Sequence, residues 1–172
     1  RANEGSGPPA LRSVCFLNGG LFPETHRPRP IQRLLISPLG PLVARLLNRS
    51  SFGRSFSAVF GPQTRPGPEE IDAFWRLIVE NDGLRVMHRL IRYMSERRTH
   101  RERWVGALQR TRVPLRVIDG AADPVSGAHM AARYRELVPD PDVVLLPEVG
   151  HYPQVEAPAA VLAAYLAFVG RQ

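Results

Sequence analysis

The sequence predicts an α/β protein in which parallel strands are flanked by helices and a block of helices separates two of the strands. The apolar, β-branched run of residues 113–119 ends in an Asp-Gly turn, which is typical of a strand. Residues 143–146 form a short continuous apolar run, as in a strand covered on both faces. Between them, residues 126–138 carry apolar side chains three and four apart, which predicts a helix with one buried face. This order predicts parallel pairing through a right-handed crossover.

A further strand and a helical segment complete the predicted organisation. Residues 11–17 form an apolar run that predicts a strand, and prolines then alternate with helix-like stretches. We therefore expect a leader and one core strand in residues 1–20, a helical insertion in residues 21–108, and the carboxyl-terminal part of the core in residues 109–172.

The helical insertion is predicted from apolar spacing and from signals at helix ends. Pro68 and two glutamates open one helix, since proline and acidic residues suit a first turn. Asn81-Asp-Gly83 is expected to end it. The other helices are predicted over residues 31–35, 39–47, 84–98 and 101–108.

The chain is basic, yet it lacks the features of a nucleic-acid-binding protein. It has 23 Lys and Arg against 16 Asp and Glu, a net charge of +7, and every one of these basic residues is an arginine. A basic surface attracts nucleic acids, anionic lipids or acidic substrates. Here the arginines are dispersed over predicted helical faces and no recognised binding motif accompanies them, so we expect no nucleic-acid partner.

The cysteine and histidine content predicts neither a disulfide framework nor a metal site. Cys15 is the only cysteine and lies in an apolar strand, which favours a buried small hydrophobe. The histidines away from the carboxyl terminus lack the paired spacing of metal ligands: His26, His88, His100 and His129. We therefore expect no cofactor.

The sequence gives little information on location. No apolar run approaches the ~20 residues of a membrane span, and no signal peptide is recognised. These observations favour the cytoplasm and leave membrane association open.

A carboxylate and an imidazole follow two neighbouring predicted strands. Asp123 lies just beyond the strand of residues 113–119, and His151 follows the strand of residues 143–146. The carboxyl ends of parallel strands meet at one edge of a sheet, so we expect the two side chains to meet there. Such a carboxylate fixes the tautomer of the imidazole and stabilises the imidazolium during proton transfer. The alternative for His151 is a hydrogen-bonded turn histidine.

Several segments carry a family resemblance: Asn18-Gly-Gly-Leu-Phe-Pro-Glu-Thr-His-Arg-Pro28, Val59-Phe-Gly-Pro62, Asn81-Asp-Gly83 and Arg103-Trp-Val-Gly-Ala-Leu108. Together with the order of acid and histidine, they resemble the α/β-hydrolase superfamily. Within it they are most similar to the mesoderm-specific transcript branch, which is itself similar to epoxide hydrolases and haloalkane dehalogenases. The resemblance covers residue 11 to the end and implies the carboxyl-terminal half of an α/β-hydrolase fold with a helical cap insertion.

The resemblance also implies roles for the residues. Asp123 would orient His151, and His151 would act as the base of a nucleophile-Asp-His triad. The substrate would be a small, largely apolar ester, epoxide or halide. Residues 21–108 would form the cap that covers the active site, selects the substrate and excludes water.

The nucleophile that the resemblance requires is missing from these residues. Neither Gly-x-Ser-x-Gly nor its Asp-centred variant occurs. The nearest string places Ser55 in Gly53-Arg-Ser-Phe-Ser57, which lacks both the final glycine and a preceding apolar strand. Ser6 lies between two glycines in a polar leader, which is typical of a linker.

We expect the missing amino-terminal half of the same protein, or a separately encoded half, to supply the nucleophile. The start at Arg1 rather than Met agrees with this expectation. The chain alone would then be inactive, and its three predicted strands would leave an open edge and an apolar face, which favours aggregation. The alternative is a non-catalytic remnant that serves as an interaction module.

Overall fold

A computed structural model describes residues 11–171 of the chain. In this part of the chain three strands form one parallel sheet in the order β1-β2-β3. The strands are β1 (Val14–Leu17), β2 (Leu115–Gly120) and β3 (Asp142–Leu146). The predicted parallel α/β fold is thereby confirmed. The part of the predicted leader that contains Ser6 lies outside the described residues.

Strand β2 is the centre of this sheet. Val117 and Ile118, which point to opposite faces, are both fully buried. The register pairs Leu17 of β1 with Ile118, and Ile118 with Val144 of β3. All three strands therefore end at the same edge, where the loops that carry Asp123 and His151 begin.

Helices cover the sheet and fill the chain between β1 and β2. In that segment lie α1 (Pro30–Ile36), α2 (Gly40–Leu46), α3 (Arg49–Ser57), α4 (Pro68–Val79), a 3₁₀ segment (Glu80–Arg85), α5 (Met87–Leu90), α6 (Tyr93–Thr99) and α7 (Arg101–Arg110). The remaining helices are α8 (Ala128–Leu137), α9 (Pro153–Glu156) and α10 (Pro158–Val169). Each helix within residues 11–171 is too short or too polar to cross a bilayer.

The single helix predicted over residues 84–98 is wrong. The end of the 3₁₀ segment, α5 and α6 occupy that range instead. Between α5 and α6 the backbone N–H groups of Arg92 and Met94 donate to the carbonyl oxygens of Arg89 and Ile91, three residues earlier. These 3₁₀-type hydrogen bonds interrupt the α-helical ladder within the predicted helix. The left-handed residues Asn81 and Asp82, with φ of 51° and 59°, lie before this range, in the segment predicted to end α4.

Helix α3 was not predicted from the sequence. Its start is fixed by Asn48, whose side chain accepts a hydrogen bond from the backbone of Ser51 at 3.0 Å. Its buried face is marked by Phe52 and Phe56, whose rings stack with centroids 5.0 Å apart. The polar residues between these two aromatics obscure the apolar period.

Two apolar clusters support the sheet edge. The first lies where α8 packs against β2, and its buried members are Phe22, Val105, Val117, Met130, Tyr134 and Val138. The second consists of Phe56, Val59, Phe60 and Val125, with Phe74 and Tyr152 packed against it. This second cluster joins the helical insertion to the loops after β2 and β3.

Candidate active site

Asp123 and His151 meet at the carboxyl edge of the sheet. Asp123 lies in the loop after β2, and His151 lies in the loop after β3. The Nδ1 atom of His151 is 2.7 Å from Oδ2 of Asp123. The Asp123 side chain is fully buried, whereas 29% of the His151 side chain is exposed. The structure thus brings the two predicted site residues into direct contact.

The loop of Asp123 is folded around its own carboxylate. The backbone N–H of Val125 donates to Oδ1 at 2.7 Å. The backbone N–H and the hydroxyl of Ser126 donate to Oδ2 at 3.1 and 2.9 Å. Asp residues favour this turn, because a carboxylate accepts from backbone groups two and three residues ahead.

These donors keep Asp123 ionised. Burial by itself raises the pKa of the carboxyl, but hydrogen bonds from His151, Val125 and Ser126 and the charge of His151 outweigh it. The resulting pKa lies below the ordinary value of 3.8. An ionised Asp123 accepts a hydrogen bond from the N–H group at Nδ1 of His151, which leaves the lone pair of the neutral ring on Nε2.

His151 is held through both its backbone and its ring. The backbone N–H of His151 donates to the carbonyl oxygen of Val59 at 2.9 Å. The ring of Tyr152 lies edge-on to the imidazole, with centroids 5.0 Å apart and planes at 90°. The imidazole therefore has a fixed direction, with Nδ1 turned toward Asp123.

Glu156 fastens the loop of His151 to the helical insertion. Its Oε1 accepts from the backbone N–H of Tyr152 at 2.9 Å. Its Oε2 accepts from the backbone N–H groups of Gly150 and Gly61 at 2.7 and 2.8 Å, and from the hydroxyl of Thr64 at 2.5 Å. One carboxylate thus joins both sides of the site. The sequence alone does not indicate this role, because the two donors from the insertion lie more than 90 positions away in the chain.

His26 also lies near the pair, although the sequence analysis gave it no role. Both of its ring nitrogens are buried and have no hydrogen-bond partner within residues 11–171. Burial, followed by the charges of Arg97 and His151, lowers the pKa of His26 to about 4. The His26 ring is therefore neutral at neutral pH. The only sequence signal was its place in the segment that resembles the family.

Asp119, on β2, is a second acid beside the site. It is fully buried, and neither carboxyl oxygen has a partner among the described residues. Burial, with the charge of Asp123 as a smaller cause, raises the pKa of Asp119 to about 8. In the sequence Asp119 belongs to an Asp-Gly pair that predicts a strand-ending turn, and this pattern does not indicate burial.

The remaining candidates lie apart from the pair. Ser55 is exposed in the middle of α3 rather than on a turn between a strand and a helix. Cys15 is partly buried in β1, and burial raises the pKa of its thiol. Within residues 11–171, no group of three or more His, Cys, Asp or Glu is arranged to hold a metal ion.

Comparison with known proteins identifies the family. The profile of the Alpha/beta hydrolase family matches residues 4–164. The mouse mesoderm-specific transcript protein is 40% identical over 168 residues, which are 95% of this chain and 50% of the mouse protein. LipZ of Mycobacterium tuberculosis (strain CDC 1551 / Oshkosh) is 43% identical over 159 residues, or 92% of this chain and 55% of LipZ. The chain belongs to the α/β-hydrolase family.

Solved structures agree with this assignment at the level of the fold. Haloalkane dehalogenase DatA from Agrobacterium tumefaciens C58 superposes with a TM-score of 0.70 at 14% identity, over 95% of this chain and 60% of DatA. Epoxide hydrolase CorEH superposes with a TM-score of 0.66 at 14% identity, over 95% of this chain and 60% of CorEH. The 40% identity to the mouse mesoderm-specific transcript protein confirms the resemblance predicted from the sequence. The chain spans about half the length of the curated relatives that it matches.

Proposed function

We propose that Asp123 and His151 are the acid and the base of a hydrolase whose nucleophile lies outside these residues. The observation that carries the proposal is the 2.7 Å contact between Nδ1 of His151 and a buried carboxylate. An ionised Asp123 directs the basic Nε2 atom of His151 away from the sheet, where a reacting group can approach. A buried acid that holds a partly exposed histidine suits proton transfer better than a purely structural turn.

In this mechanism His151 moves one proton at Nε2. With a serine nucleophile, Nε2 takes the hydroxyl proton as the oxygen attacks the substrate carbonyl, and returns it to the leaving group. With an aspartate nucleophile, Nε2 takes a proton from the water that hydrolyses the ester formed with the enzyme. In both cases the charge of Asp123 stabilises the imidazolium.

The surroundings of His151 support a small, largely apolar substrate. Tyr152 packs against Phe56, Phe60 and Phe74, with ring centroids 5.1, 5.3 and 5.9 Å away. Such an aromatic wall beside a few polar groups is typical of a site for small molecules. The substrate classes that we propose are esters, epoxides and alkyl halides.

The partner that we propose is the other half of a whole hydrolase. One edge of β1 has no strand beside it among the described residues. Next to it, Cys15, Leu17, Leu162 and Tyr165 line an open apolar groove. An unpaired edge next to exposed apolar side chains suits a further strand with its covering helix.

His151→Ala tests the acid-base proposal in the protein that includes the nucleophile. Hydrolysis of p-nitrophenyl butyrate, styrene oxide and 1-bromobutane is measured before and after the change. The active substrate class is expected to lose about 10⁴ to 10⁶ in turnover, because no other group takes the proton. The exposed His100, changed to Ala, is the matched control and is expected to keep its turnover. Unchanged turnover in His151→Ala would refute the acid-base role.

A further inference from the structure

Asn18 lies directly after β1 and reaches across the sheet edge to the acid-base pair. Its side-chain Nδ2 donates to Oδ2 of Asp123 at 3.0 Å and to the carbonyl oxygen of Gly150 at 3.4 Å. Its Oδ1 accepts from the backbone N–H of Gly120 at 2.7 Å. Only 5% of Asn18 is exposed. One amide thus joins the loops that follow all three strands.

The direction of this amide is determined by its partners. A backbone N–H only donates, so the amide oxygen of Asn18 must face Gly120. The NH₂ group then necessarily faces Asp123, which only accepts when it is ionised. The backbone of Asn18 has a φ of 53°, in the left-handed region where Asn and Asp are the best tolerated residues with side chains.

We propose that Asn18 is a positioning residue for the acid-base pair. Its amide NH₂ group holds Oδ2 of Asp123 against Nδ1 of His151 and stabilises the negative charge of that oxygen through a hydrogen bond. This inference rests on the proposed function, because the role of Asn18 depends on His151 acting as the base.

The contact of Asn18 differs in origin from the other hydrogen bonds to the carboxylate. Val125 and Ser126 donate from the turn of Asp123 itself, so they move with it. Asn18 donates from the loop after β1, 105 positions earlier, and also contacts Gly150, which precedes His151. It therefore relates the position of Asp123 to that of His151, whereas the turn donors only shape the Asp123 loop.

Asn18→Asp separates this role from simple support of the fold. Aspartate has the same shape, tolerates the same backbone conformation and keeps an oxygen for the N–H of Gly120. It replaces the donor to Asp123 by a second carboxyl group, and two carboxyls in contact repel each other when both are ionised. Protonation of the His151 imidazole relieves this repulsion, so the low-pH limb of the kcat/KM profile is expected to move up by roughly one pH unit.

Other titratable groups face the pair and must be controlled. Asp119 lies on β2 beside Asp123, and the charge of Asp123 also acts on Tyr152. His26 lies near both members of the pair, with Arg97 beside it. Because a new carboxylate at position 18 also acts on the acid at position 119, the profile is measured again with Asp119→Asn in both proteins.

The experiment compares the parent protein, Asn18→Asp, Asn18→Gly and the control Asn48→Asp. Asn48→Asp adds the same charge at an exposed helix cap and is expected to leave the profile unchanged. Asn18→Gly keeps the left-handed backbone but removes the amide, and is expected to lower kcat about tenfold with KM within about twofold. An unshifted low-pH limb in Asn18→Asp, or an equal shift in Asn48→Asp, overturns the inference.

A second measurement does not depend on turnover or on one variant. The ring signals of His151, assigned by their loss in His151→Ala, are followed against pH by NMR. The ring of Asn18→Asp is expected to become protonated at a higher pH than that of the parent protein. The two proposals can fail separately. If His151 becomes protonated at a higher pH in Asn18→Asp but His151→Ala hydrolyses substrate as fast as the parent protein, the proposed function is refuted while the contact of Asn18 with the pair stands. If Asn18→Asp does not fold, an unchanged kcat in Asn18→Gly overturns the inference.

Discussion

Asp119 and Asp123 both lie near the carboxyl end of β2, yet the pKa values of their carboxyl groups are shifted in opposite directions. Hydrogen bonds and the charge of His151 keep the pKa of Asp123 below its ordinary value. Asp119 lacks a comparable set of donors among residues 11–171, and burial raises its pKa to about 8. The difference arises from local hydrogen bonding, since both carboxyls are buried.

Asp119→Asn is expected to stabilise the protein as the pH rises. The unfolded carboxyl loses its proton near 3.8, whereas the folded carboxyl keeps it until about pH 8. Between these values the folded state binds the extra proton, so the free energy of unfolding falls with rising pH by up to about 1.4 kcal/mol per unit from this group. The Asp119→Asn variant lacks this pH-dependent loss of stability. In thermal melts at pH 4, 6 and 8, the Tm of the variant is therefore expected to equal that of the parent protein at pH 4 and to exceed it most at pH 8.

The control for this change is Asp140→Asn, at an exposed position where asparagine suits the left-handed backbone. The difference in Tm between Asp140→Asn and the parent protein is expected not to grow with pH. Equal stability of Asp119→Asn and the parent protein at pH 8 would contradict the buried, protonated state of Asp119.

At the scale of elements, two loops fit against each other through glycines. The loop after α3, residues 59–61, lies against Gly150 in the loop after β3. A Cβ on Gly150 would lie 2.5 Å from both the backbone N of Gly61 and the carbonyl carbon of Phe60. No side chain fits there, so the contact brings the helical insertion against the residue before His151.

Gly150→Ala is expected to displace His151. The added methyl group must push backbone against backbone, which costs about 1–3 kcal/mol of stability. Because His151 follows directly, turnover is expected to fall as well. The measurements are a denaturant melt and the hydrolysis rate. Gly67→Ala is the control, because a Cβ on Gly67 meets nothing within 4 Å. A Gly150→Ala protein as stable and active as the Gly67→Ala control would contradict the tight contact.

At the scale of the whole molecule, α10 has two unlike apolar faces. Val161 and Phe168 are 7% and 2% exposed and pack toward the sheet. Leu162, Tyr165 and Leu166 are 56%, 44% and 54% exposed. Leu162 and Tyr165 line the groove next to the edge of β1 that has no neighbouring strand within residues 11–171. Such an exposed apolar face promotes association.

Leu162→Glu is expected to reduce self-association of the isolated chain. A charge on the exposed apolar face of α10 opposes its burial against a second copy. Sedimentation velocity across a range of protein concentrations measures the effect. Leu77→Glu is the matched control, because Leu77 is 67% exposed on α4, away from this face. A parent chain that stays monomeric and melts cooperatively would contradict the prediction.

Much of the fold was predictable because its signals are local. The strands of residues 113–119 and 143–146 and the helix of residues 126–138 are confirmed within two residues at each end. The insertion was harder to predict, since 3₁₀-type hydrogen bonds between α5 and α6 divide the segment of residues 84–98, whose apolar spacing looked continuous. Turn conformations of this kind depend on packing that a period of 3.6 residues does not describe.

The sequence by itself determined the parallel order of the strands and the placement of Asp123 and His151 after two of them. Only the tertiary structure decided what surrounds that pair. The amide of Asn18, the carboxylate of Glu156 and the buried acid of Asp119 act through groups that are distant in the chain or through the loss of water. Periodicity and turn residues report on neighbours along the chain, whereas pKa values and hydrogen bonds depend on neighbours in space.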